Sequence, residues 1–139
     1  QHGYEPAATV LALSLLFTRL FLGGSEIIAK PYESSWRSGA SGPEDPAAAL
    51  LGLYAQGGFQ VDEGFRDLPD HIAVQLEFLY LLIYQDAAPE LRRRFVRDHL
   101  AAWVPSFTAA VQGGAETAFY RQLANLTSEV VGGEAASSR

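Results

Sequence analysis

From Val10 to Leu22 almost every residue is apolar, and a second stretch from Ile72 to Ile83 is nearly as greasy. Both carry their bulky side chains three and four residues apart. Leu13, Leu16, Phe17, Leu20 and Phe21 repeat in this way, and Ile72, Leu76, Leu79 and Ile83 form a stripe with Phe78 and Leu82 beside it. Such spacing gathers apolar side chains on one side of an α-helix, whereas a half-buried strand needs strict alternation. No segment alternates with period two. The pattern therefore predicts an all-α fold, a compact bundle of about five or six helices joined by short loops.

Proline and glycine mark the boundaries. Pro6 suits the first position of a helix, with Glu5 favourable at its positive end, and Gly23-Gly24 stops it. Asp45 caps a second helix with Pro46 in its first turn, and Gly57-Gly58 ends it. A third helix starts around Leu68 to Asp70 and runs to about Gln85. Pro89 opens a fourth, "PELRRRFVRDHLAAW", in which Arg92, Arg93, Arg94 and Arg97 face water, and Pro105 marks a break or kink after Trp103. The last helix spans about Ala115 to Val131, with Phe119, Leu123 and Leu126 as its apolar face. One domain, residues 1–131, is expected, followed by a flexible tail, 132–139. Between the first two helices, "KPYESSWRSGASGP" reads as an ordered loop pinned to the core by Tyr32 and Trp36.

The chain has 139 residues, enough for one domain, and a net charge of −6. That balance provides no basic face for nucleic acid and suits a basic partner, such as an arginine-bearing peptide. The absence of cysteine removes disulfides, thiolate metal sites and cysteine nucleophiles. The first apolar run is too short to span a bilayer and contains Arg19, so it reads as a buried helix without membrane insertion. The chain opens on Gln1 and has no methionine, so N-terminal structure is expected to be missing.

Chemistry is sparse. His71 and His99 each follow an aspartate, but adjacent residues on a helix point about 100° apart and no second histidine stands four residues away, so no metal site is expected. There is no nucleophile elbow, Walker loop or dinucleotide fingerprint. The richest stretch is "RDLPDHIAVQLEFLYLLIY". Asp67 and Asp70 fit helix capping. Glu77, among Leu76, Phe78 and Leu79, is either a groove-edge carboxylate or the partner of an arginine. His71 fits a structural role through its ring nitrogens. Tyr32 reads as a plug and Ser34 as a turn residue.

Taken in order, "LLFTRLFLG", "KPYESSW", "DLPDHIAVQLEFLYLL", "FVRDHLAAWVPSF" and "FYRQLANL" resemble the TorD/DmsD/NarJ family of chaperones for molybdenum redox enzymes. The likeness covers most of the chain. Where the family commonly has Glu-Pro-x-Asp-His, this sequence has Asp67-Leu68-Pro69-Asp70-His71, and Gln75 stands where a glutamate is frequent. Members are usually longer at the N-terminus. The resemblance implies a non-catalytic, cytoplasmic, all-α chaperone without a cofactor of its own. It would bind the twin-arginine signal peptide and apo-form of a molybdopterin oxidoreductase, delaying export until the cofactor is inserted. It also implies peptide-binding roles for Asp70 and His71, with Tyr32, Glu33, Trp36, Leu68, Pro69 and Glu77. Carboxylates bordering an apolar trough would hold the guanidinium groups by charge-assisted hydrogen bonds. Weak guanine-nucleotide binding is a family trait that no phosphate loop here supports. The alternative is a structural helical subunit of a larger complex. A homodimer is compatible with either.

Overall fold

In the computed structural model the chain is described over residues 6–22, 29–37, 45–65, 68–86, 88–114 and 118–137. Among these residues it forms six α-helices and no strand: α1 (Pro6–Leu22), α2 (Pro46–Gln56), α3 (Ile72–Gln85), α4 (Pro89–Phe95), α5 (Ala101–Gly114) and α6 (Ala118–Ser137). The all-α expectation holds. The expected Gly23-Gly24 stop, and Asp67 as a cap, lie outside the described residues.

Helix α3 is the axis of the molecule. Ile72, Val74, Leu76, Phe78, Leu79 and Leu82 are all buried on it. It packs chiefly against α1, whose Val10, Leu13 and Phe17 point inward. Ser14, in the middle of that contact, donates to the carbonyl of Ala73 at 2.8 Å, so this buried hydroxyl is satisfied across the α1–α3 seam. On another side of α3, Tyr54 of α2 and Phe95 of α4 meet Phe78 edge-on, each at 4.8 Å between ring centres. A Cβ on Gly57 would come within 2.7 Å of the Phe78 ring, so the chain can leave α2 this close to α3 only at glycine.

The boundaries follow the sequence in part. Asp45 caps α2 as expected, accepting from the amides of Ala47 (3.1 Å) and Ala48 (3.3 Å). Helix α3 begins later than the acids suggest. Its N-cap is His71, whose Nδ1 accepts from the Ala73 amide at 3.0 Å. Pro105 does not break its helix and lies inside α5. The irregularity falls upstream, where Val96–Leu100 forms a π-helical turn between α4 and α5. Nor do the arginines of α4 simply face water: Arg92 bonds Glu134 of α6 at 2.7 Å, and Arg94 bonds Gln56 of α2 at 2.7 Å. Helix α6 also runs past Val131 to Ser137, so residues 132–137 are helix where a loose tail was expected. Its inward face is Leu123, Ala124, Thr127, Val130, Val131 and Glu134, while Leu126 is 41% exposed.

Candidate functional site

The loop 29–37 is laid against the start of α3 by its backbone. Tyr32 and His71 form an isolated antiparallel bridge. The amide of Glu33 donates to the Asp70 carbonyl at 3.1 Å, and that of Ile72 to the Pro31 carbonyl at 2.8 Å. The chain then tightens into a 3₁₀ turn, Glu33–Ser35. Side chains complete the join. Asp70 accepts from the Ser34 amide at 2.9 Å, Tyr32 sets its ring edge-on to His71 at 5.2 Å, and Trp36 packs towards Phe107 while donating to the Lys30 carbonyl at 2.7 Å. The aromatics therefore anchor the loop, as their presence in it suggested.

Beneath the loop lies a polar centre. Glu33 is fully buried, and its carboxylate meets donors from three places. His99 Nδ1, in the π-turn, lies 2.9 and 3.0 Å from the two oxygens. Gln75 Nε2 on α3 is 3.2 Å away, and Arg37 Nη1 is 3.1 Å away. Gln75 also donates to the Asp70 carbonyl at 3.0 Å and accepts from Trp103 Nε1 at 3.3 Å. Arg37 reaches on to the Asp98 carbonyl at 2.6 Å. A buried carboxylate is tolerated when its lone pairs are met in this way.

The expected site residues thus divide. Asp70, His71, Glu33 and Pro69 are brought together, but inside the protein: Asp70 is 6% exposed, and His71 and Glu33 are 0% exposed. Pro69 is buried and accepts from the Tyr54 hydroxyl through its carbonyl at 2.6 Å. Tyr32, Trp36, Leu68 and Glu77 remain half-buried and reachable, and Ser34 is exposed. Glu77 has no ion-pair partner among the described residues. Burial, with Asp62 nearby, lifts its carboxyl above the usual range. Burial also raises the Tyr32 hydroxyl, reinforced by Asp70, and raises that of Tyr54 further, with Glu33 and Asp70 adding to it. His71 falls to about 4 because burial disfavours its cation more than Asp70 favours it. Sequence reasoning missed Gln75, His99, Arg37 and Trp103 as partners of this centre.

Among the described residues, cavities open elsewhere. One of about 290 Å³ is lined by Leu82, Asp86, Pro89, Arg92 and Arg93, and one of about 430 Å³ by Pro6, Leu126, Val130 and Glu134. Neither is lined by Asp70, His71, Glu33 or Glu77. Among the described residues no His, Asp and Glu cluster could hold a metal ion, and no helix is long and apolar enough to cross a membrane.

The loop is thus pinned to an all-α fold by buried polar contacts, with Tyr32 and Trp36 half-buried on it. The chain belongs to the nitrate reductase delta subunit family, whose model matches residues 4–109. It is 32% identical over 128 residues to the chaperone protein TorD of Vibrio parahaemolyticus, covering 84% of this chain and 59% of that protein. The TorD chaperone of Photobacterium profundum is 31% identical over the same shares. The selenate reductase assembly chaperone protein of Thauera selenatis is 34% identical over 115 residues, 74% of this chain and 59% of the relative. The chain therefore spans about 59% of the length of these relatives. No solved structure matches it.

Proposed function

We propose that this protein is a cytoplasmic, non-catalytic chaperone for a molybdopterin oxidoreductase. It binds the twin-arginine signal peptide and the apo-enzyme, and delays export until the cofactor is in place. Family membership, with relatives named for chaperoning and for selenate reductase assembly, carries the reading. The surface supports it: Tyr32, Trp36 and Leu68 offer apolar contact, and Glu77 a carboxylate with no partner among the described residues. Asp70 and His71 act in this reading as positioning groups, holding the loop that presents the contact residues.

The test is calorimetric titration of the chain with a peptide carrying two adjacent arginines followed by an apolar stretch. Binding at micromolar strength or tighter is expected, about −8 kcal/mol or better. Trp36→Ala and Glu77→Gln weaken it. Asp70→Asn leaves it nearly unchanged, because an amide oxygen still accepts from the Ser34 amide; a large loss there would mean that the charge itself meets the peptide. A second reading, a structural subunit, draws on the outer face of α1, where Ala8, Ala12 and Leu15 (60% exposed) present apolar surface. No affinity for the peptide, together with a stoichiometric complex that survives high salt, would establish that reading instead.

A further inference from the structure

Arg37 occupies a site with the chemistry of a guanidinium receptor. Its Nη1 is held between an oxygen of the buried Glu33 carboxylate at 3.1 Å and the Asp98 carbonyl at 2.6 Å. The carboxylate is oriented from behind by Gln75 and His99, so its direction does not depend on Arg37. The Glu33 side chain is 0% exposed, whereas that of Arg37 is 12% exposed, so the pocket reaches solvent at the end where the guanidinium enters. The carboxylate is fully buried, and a guanidinium, being more weakly hydrated than the ammonium of lysine, gives up its water at such a site more readily. The bridge between Glu33 and Arg37 spans only four residues of one loop, so the loop supplies both the anion and the cation that fills its pocket.

We propose that this pocket is an arginine-binding site and that Arg37 is an internal occupant, displaced when an arginine of the client peptide enters. The second half of the proposal rests on the peptide-binding reading above; the first half does not. An internal occupant lowers the apparent affinity for a competing ligand by the fraction of time it fills the site. The exchange conserves charge in the pocket: one guanidinium leaves the Glu33 carboxylate as another arrives. It also frees Arg37, which lies in the same loop as Tyr32 and Trp36, and so would report occupancy to the rim.

The test uses the whole chain with Arg37→Ala, and Arg37→Gln as a second variant if the first does not fold. N-acetyl-arginine amide and N-acetyl-lysine amide are the probes. The variant is expected to melt at a lower temperature than wild type. The arginine probe should restore about half or more of the loss at saturating concentration, and the lysine probe much less. The wild type, already filled, should respond to neither. The paired-arginine peptide should bind the variant about tenfold tighter than wild type, and its paired-lysine counterpart should not gain. Equal responses to the two probes, or none, overturn the arginine site even if wild type binds the peptide. A selective response to the arginine probe without a gain for the peptide overturns the client as occupant. If wild type binds no leader peptide, the chaperone reading fails by itself, and the probes still decide the site.

Discussion

His71 shows how one side chain can carry both the start of a helix and a pH dependence. It caps α3, lies against Tyr32 and Phe65, and is fully buried. Burial holds its pKa at about 4, against 6.5 for a solvent-exposed histidine. At neutral pH the ring is uncharged in both folded and unfolded chains, and its contribution is intact. Below about 6.5 the unfolded chain takes up a proton that the folded chain refuses until about pH 4, so stability falls as pH falls through that window. The loss is about 2 kcal/mol by pH 5 and about 3 kcal/mol in full. Urea unfolding from pH 7.5 to 5 should show this decline in wild type and a shallower one in His71→Asn, which keeps a capping oxygen but cannot be protonated. Parallel declines would mean that the histidine carries no charge penalty. Asp70 and His71 stand out in the sequence, yet their neighbours were not legible there. His99 is 66 residues away from Glu33, and nothing local signals that the two will touch.

Among the elements, the α4–α5 segment is the most instructive. Phe95, His99, Trp103 and Phe107 are buried at a constant spacing of four, as are Val96, Leu100, Val104 and Thr108. An α-helix turns every 3.6 residues, so a strict row of fours drifts around it. The wider π-turn at Val96–Leu100 takes up part of that drift and keeps both rows facing inward. The regular spacing was the available signal for it, and Pro105 drew attention to the wrong place. Helix α6 teaches a related lesson. Gly132 and Gly133 suggest an end, but Glu134, one residue further on, is 4% exposed and paired with Arg92 through two nitrogens. Long-range pairing outweighs the low helix propensity of two glycines, which is about 1 kcal/mol each. Removing residues 134–139 should therefore lower stability by about 1–3 kcal/mol, read as a fall in the urea midpoint. A truncated chain as stable as the full one would show that the pair contributes nothing.

For the chain as a whole, the net charge of −6 is the property most relevant to the cationic leader peptide proposed as its ligand. Long-range attraction chiefly raises the association rate and is screened by salt. Stopped-flow mixing with the paired-arginine peptide should show an association rate that falls about tenfold between low and high ionic strength, with a smaller change in dissociation. A rate insensitive to salt would leave only apolar contact as the driving force. The sequence alone determined the fold class, a count of about five or six helices and several of their ends, because apolar periodicity, proline and a capping aspartate act over a few residues. It also drew attention to Asp70 and His71, and the family resemblance added Glu33. Only the tertiary structure decided that these three turn inward, while Tyr32, Trp36, Leu68 and, on α3, Glu77 stay half-buried. The reason is physical: a carboxylate can be buried only where donors converge on it. Gln75, Arg37 and His99 meet at Glu33 only after the loop, α3 and the π-turn have packed together.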